Sequence, residues 1–206
     1  MSAQLTVPLL VGTHVRLEPL DSTHVEGLVG AANGDRSSYG YTFVPVTRDE
    51  MANYVDDLLG QHENGLSVPF AQVDVQSQRV VGATRFMTIR TRENESTPYA
   101  VEVGGTWLTG SAQRTAINSE AKLLLFTYAF DSWHVGRVDL KGDARNARSR
   151  KAMARIGATF EGVLRQWQPS LVVGEETLLR DTAMYSVTSP EWPTVRSNLE
   201  MRVIER

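Results

Sequence analysis

The sequence predicts a mixed α/β fold, a central and mostly antiparallel sheet flanked by helices. Apolar residues recur at helical spacing in some windows and in strand-like alternation in others. Three strand-like runs follow one another between the helical segments, joined by polar turns too short for a crossover, which makes them antiparallel neighbours. In chain order the elements read β-α-α-β-β-β-α-β-α-β-β and a last helix, a pattern of mixed sheet and helix layers.

Val15 to Leu20 reads as a short strand. Ser22 to Ala32 reads as a helix, because Val25, Leu28, Val29 and Ala32 fall on one face. Asn33 to Pro45 is rich in Gly, Ser and Tyr and reads as a loop. Thr47-Arg-Asp-Glu50 is a capping box that opens a second helix. Its buried stripe is Met51, Tyr54, Val55, Leu58 and Leu59, and Gly60 is expected to stop it.

From Ser67 the period changes. Val68 to Val75 and Arg79 to Thr91 read as strands around the turn Gln76-Ser-Gln78, and Arg92 to Pro98 as a charged loop. Ala100 to Thr109 is the third strand, and Gly104-Gly105 in its middle predicts a bulge or a close approach to the backbone. Ile117, Ala121, Leu124, Leu125 and Tyr128 mark the next helix, followed by a strand from Arg137 to Lys141. Asn146 to Ile156 is a helix closed by Gly157, and Thr159 to Gln168 and Leu178 to Val187 are strands around Val173-Gly174. Trp192, Val195 and Leu199 mark a last helix over about 191–206, packed on what reads as one domain spanning 1–206.

The chain has 206 residues, 41% hydrophobic and 22% charged, with a formal net charge of −3. That balance argues against a nucleic-acid surface and against an anionic-membrane anchor. The absence of cysteine excludes disulfides, thiolate metal sites and a cysteine nucleophile, and suits a reducing compartment. The segment from Met1 to Gly12 lacks the charged and apolar regions of a secretory signal, and no apolar run is long enough to span a membrane. The expected location is the cytoplasm. His14, His24, His62 and His134 have no metal-like spacing, so no metal is expected. Ser119 lacks a nucleophile-elbow setting.

Two segments carry chemistry. Gly110 to Phe126 and Asp143 to Arg150 each run from a strand end through a polar turn into an amphipathic helix. Such a junction leaves backbone N–H groups unpaired at the positive end of the helix dipole, which suits an anionic phosphate. Arg145, Arg148, Arg150, Lys151 and Arg155 surround the second helix with positive charge.

The first segment resembles the pyrophosphate loop of the GCN5-related N-acetyltransferases, and the second the Asn-x-x-Ser segment of their RimJ/RimL branch. Val15-Arg-Leu-Glu-Pro-Leu20, Glu102-Val-Gly-Gly-Thr-Trp-Leu108, Glu120-Ala-Lys-Leu-Leu-Leu125, Ile156-Gly-Ala158 and Glu161-Gly-Val-Leu-Arg165 extend the resemblance over nearly the whole chain. It implies the acyl-CoA N-acyltransferase fold, acetyl-CoA as co-substrate and a primary amine as acceptor. The acceptor is then a protein N-terminus or an amino-containing small molecule. With no cysteine to carry an acyl group, the amine attacks directly in a ternary complex.

The resemblance also assigns roles. The family loop falls on Gln113-Arg-Thr-Ala-Ile-Asn118; Gln113 matches, but Ala116 and Asn118 stand where glycines are expected. Glycine would permit positive φ and a close phosphate, so these two departures also leave open a coenzyme-binding or sensory module without turnover. Trp107, Leu108, Arg114, Thr115 and Ile117 complete the expected cofactor strand and loop. Asn146 is expected to bind the pantetheine arm, besides being a natural N-cap. Ser149 is expected near the sulfur, as proton donor to the thiolate, and Arg150 and Arg114 near the phosphates. Glu102 is the expected proton acceptor for the amine; alternatively it is a solvent-facing carboxylate or is paired with Arg85. Tyr39 and Tyr41 lie in the loop that relatives use to wall the acceptor pocket. The oligomeric state stays open, a homodimer included.

Overall fold

Strand and helix boundaries follow the local signals closely. In the computed structural model, which describes residues 5–205, the elements are β1 (Leu10–Val11), β2 (Val15–Pro19), α1 (Val25–Ala32), α2 (Arg48–Glu63), β3 (Ser67–Asp74), β4 (Val80–Thr91) and β5 (Pro98–Leu108). Then come α3 (Ile117–Thr127), β6 (Arg137–Asp143), α4 (Ala147–Arg155), β7 (Thr159–Pro169), β8 (Leu179–Thr188) and α5 (Trp192–Ile204). Residues 1–4, part of the N-terminal segment, and residue 206, the end of the expected last helix, lie outside the described residues.

The capping box forms as read: the Thr47 hydroxyl accepts from the Glu50 N–H and the Glu50 carboxylate from the Thr47 N–H. Gly60, however, does not end α2. The helix runs on to Glu63 and is closed by Asn64, whose side chain donates to the Gly60 carbonyl at 2.7 Å. A glycine inside a helix costs about 1 kcal/mol, too little to break a helix whose Val55 and Leu58 are buried. Gly157 does close α4, at φ 95°. The helix expected from Ser22 begins as a short 3₁₀ turn at Ser22–His24, and α3 runs on into a wide π-type turn over Tyr128–Ser132.

All eight strands form one sheet in the order β1-β2-β3-β4-β5-β6-β8-β7. Every neighbour pair is antiparallel except β5 and β6. Side chains alternate between two faces. Val101, Val103, Val138, Leu140, Ala183 and Tyr185 join the core under α3, α4 and α5. The opposite face receives α1 and α2, whose Leu28, Met51, Val55 and Leu58 pack on Ala71, Ala83 and Trp107. Among the described residues the core of that second face stops at β5, and no helix joins it over β6, β8 and β7. Glu102 and Lys141 alternate with core residues of the first face and so lie on this open half.

Candidate active site

The one parallel pair in the sheet is short. β5 and β6 are in register at Ala100↔Arg137, Val101↔Val138 and Glu102↔Asp139, and beyond Glu102 the two strands part. From Val103 to Leu108 and from Leu140 to Asp143 the facing edges have no strand partner, so their N–H and C=O groups line a wedge.

Glycines on both sides of the wedge lie against close neighbours. In β5 two residues, Gly105 and Thr106, oppose the single Thr84 of β4 between Gly104↔Arg85 and Trp107↔Ala83, so the strand carries the bulge that the glycine pair predicted. Gly105 takes φ 59°, in the left-handed region. A Cβ there would stand 2.8 Å from Arg85 Nε, and one on Gly104 would stand 2.9 Å from a Glu102 carboxylate oxygen. Across the wedge, a Cβ on Gly142 of β6 would stand 3.2 Å from Ser149 Oγ, so that hydroxyl lies against the β6 backbone.

Glu102 sits where the strands part and is 3% exposed. Its partner is neither solvent nor Arg85: Lys141 Nζ lies 2.9 Å from Oε2, and Thr88 Oγ1 donates to the same oxygen at 2.8 Å. Arg85 instead donates to Gln61 Oε1 at 3.3 Å. Lys141 comes from the strand across the wedge, a relationship that depends on the parallel register and has no signature in local sequence.

The α3 junction has the expected strand-turn-helix form but a different internal geometry. Ala116 is the residue before α3, at φ −65°, and Asn118 lies inside the helix; neither takes the positive φ that a glycine would supply. The left-handed residue is Arg114, at φ 65°. The departures from glycine therefore leave the backbone path unstrained at 116 and 118. Gln113 points inward, donating to the Leu108 carbonyl at 2.7 Å and to Ser38 Oγ at 2.8 Å. Thr115 donates to the Ala112 carbonyl and accepts from the Ile117 N–H. The N-cap residue Ala116 has no side chain to cap α3, and Thr115 takes only the Ile117 N–H of the first turn. Trp107 and Leu108 are buried at the strand end.

At α4, Asn146 is the N-cap, its Oδ1 accepting from the Ser149 N–H at 3.0 Å. The amide nitrogen of Asn146 and the hydroxyl of Ser149 are not used by the cap. Arg150 turns toward the β7–β8 hairpin, its guanidinium 5.3 Å from the Phe160 ring centre and 3.4 Å from Tyr185 Oη.

The two loop tyrosines separate. Tyr39 is buried, edge-on to Trp107, and its hydroxyl donates to the Leu108 carbonyl at 3.0 Å, which anchors the loop to the strand end. Tyr41 stays nearer the surface, with the Arg145 guanidinium 5.4 Å from its ring centre. Arg145 in turn holds Asp143 and Glu175. Burial opposes ionisation of Asp143, but the hydrogen bonds from Arg145 hold its carboxyl below the usual range.

Sequence reading did not find Lys141, Arg180 or Lys122. Lys122, on α3, is buried and donates to Thr106 Oγ1 at 2.7 Å, beside the bulge. Burial pulls its ammonium down to about 7. Among the described residues there is no cluster of side chains fit to hold a metal ion, and no helix is long and apolar enough to cross a membrane.

Known proteins match this arrangement. The profile of the acetyltransferase (GNAT) domain family matches residues 14–159. A GCN5-related N-acetyltransferase from Brucella melitensis superposes with a TM-score of 0.82 at 27% identity, over 97% of this chain and 86% of that one. A protein from T. thermophilus assigned as an acetyltransferase gives 0.79 at 32% identity, over 97% and 99%. Mycobacterium smegmatis RimJ, solved with CoA-disulfide, gives 0.74 at 18% identity, over 95% and 92%, a likeness of fold. No curated protein matches by sequence.

Proposed function

The chain belongs to the acetyltransferase (GNAT) family, and on that premise we propose that it transfers acetyl from acetyl-CoA to a primary amine by direct attack in a ternary complex. The observation that carries this reading is the parting of β5 from β6 beyond Glu102. A slot edged by unpaired backbone and lined by Gly104, Gly105 and Gly142 suits a thin, amide-bearing arm, and the uncapped α3 suits the phosphates behind it.

When bound, acetyl-CoA supplies the thioester, whose C–S bond breaks as the amine nitrogen bonds to the carbonyl carbon. The chain's own groups then divide the work. Unpaired N–H groups of β5 beside the bulge are available to the acyl oxygen as negative charge develops there. Ser149 Oγ, against Gly142, gives a proton to the leaving thiolate. Glu102 takes the proton lost by the amine, directly or through one water, while Lys141 and Thr88 fix its orientation. Asn146 holds the arm with its free amide nitrogen. Tyr41 walls the acceptor side, whereas Tyr39 supports the loop from within.

Thiol release from acetyl-CoA across a panel of primary amines tests the proposal. Amine-dependent release with formation of the N-acetyl product supports it. Tight binding of acetyl-CoA with no amine-dependent release would instead make the chain a coenzyme-binding module.

A further inference from the structure

The open half of the sheet is crowded with arginines, and most of them are matched to carboxylates. Arg90 and Arg137 both engage Asp139, Arg137 also holds Glu161 with two nitrogens, and Arg145 bridges Asp143 and Glu175. Arg180 differs. It lies on β8, two residues before Thr182, which is in register with Asp143. Alternation from Ala183, a core residue of the other face, puts Thr182 and Arg180 on the open face beside the wedge.

The hydrogen bond that Arg180 makes is a long one, 3.4 Å to the neutral Gln168 Oε1. Among the described residues its Nε is buried without a partner, and so is the hydroxyl of Thr182, a residue with no exposed surface. The charges close enough to act on Arg180 are Asp143, Glu102 and Arg145. Both carboxylates are already committed, Glu102 to Lys141 and Asp143 to Arg145. Burial accordingly disfavours the charged guanidinium. On the far side of Glu102, Arg85 repeats the pattern: a buried Nε without a partner and one 3.3 Å contact to a neutral amide. A half-buried guanidinium without a carboxylate leaves strong, forked donors unused at the mouth of the site.

We propose that the acceptor carries an anionic oxygen group, carboxylate or phosphate, a few bonds from its reacting amine, and that Arg180 receives that group. The inference rests on the acyl-transfer reading above. It makes the acceptor zwitterionic, with its amine at Glu102 and its anion at the next strand but one, complementary to the charges that the cleft presents.

The test compares acceptors in matched pairs by kcat/KM: an α-amino acid against its methyl ester, phosphoethanolamine against ethanolamine, and a short peptide with Asp against one with Asn at the second residue. At least one anionic member should exceed its neutral partner by about tenfold or more. The pair that does so identifies the anion's source. In Arg180→Gln that ratio should fall toward one, and Arg180→Lys should keep part of it, in preparations that retain the acetyl-CoA-induced rise in Tm. Neutral amines acetylated as well as their anionic partners in every pair would overturn the inference and leave the acetyltransferase reading standing. An unchanged ratio in folded Arg180→Gln would overturn the role of Arg180. Acetyl-CoA binding with no turnover of any amine would overturn both readings.

Discussion

Lys141 binds the Glu102 carboxylate at 2.9 Å across the point where β5 and β6 part. The pair ties together the two strands that stop pairing one step later, and it sets a charged group at the entrance of the wedge. Both side chains are largely buried, 12% and 4% exposed, so neither can lose its partner cheaply. In the proposed reaction one contact therefore serves both the shape of the slot and the chemistry at its mouth.

Removing either partner should separate those two duties. Glu102→Gln keeps the shape and the Thr88 hydrogen bond, so acetyl-CoA affinity should hold while kcat falls and the acid limb of the pH–rate profile changes. Lys141→Met strands a buried carboxylate and should cost about 3 kcal/mol of stability by urea denaturation. Glu102→Gln turning over at the wild-type rate with the same profile would pass the proton path to ordered water.

Cofactor binding should stabilise the fold by mass action. At about 100 times Kd, acetyl-CoA should add about 2.7 kcal/mol, a rise in Tm of about 5–10 °C by calorimetry. Ala116 already has an ordinary backbone at φ −65°, so Ala116→Gly should leave that affinity within about twofold and lose roughly 0.5–1 kcal/mol of stability. A clear loss of affinity would mean that the loop does not wrap a phosphate.

Much of the fold was legible because its signals are local. Thr47 and Glu50 close their box within one turn, Gly157 supplies the positive φ that ends α4, and the Gly104-Gly105 pair marks the bulge. Gly60 misled because a single unfavourable residue yields to the buried stripe around it. The site was legible by position and less so by partner. Glu102 and Lys141 are 39 residues apart by the numbering and meet through the parallel register of β5 and β6, with α3 lying between them in the chain. Tyr39 and Tyr41 look alike in sequence, yet one is core and the other faces Arg145, because Tyr39 alone reaches Trp107 and the Leu108 carbonyl.

Asn146 and Ser149 share one helical turn but should fail differently. Asn146→Ala removes the cap on the Ser149 N–H, at about 1 kcal/mol, and with it affinity for acetyl-CoA. Ser149→Ala keeps that N–H and therefore the cap, so stability should hold while kcat drops more than affinity. Full activity of Ser149→Ala across pH would assign thiolate protonation to water.

Lys122 gives a prediction whose sign follows from its burial. Its ammonium titrates near 7 in the fold, against 10.5 when unconstrained, because desolvation disfavours the charge. Above about pH 7 the unfolded chain therefore binds one proton more than the folded one, and stability rises with pH by about 1.4 kcal/mol per unit. The contribution is complete above about 10.5 and is lost as pH falls toward about 7. Lys122→Met removes the titration and leaves every other group in place. The stability of the wild type minus that of Lys122→Met, from urea titrations, should increase by about 2 kcal/mol between about pH 7.5 and 9. Taking the difference cancels groups common to both proteins. A flat difference would mean that Lys122 stays charged in the fold.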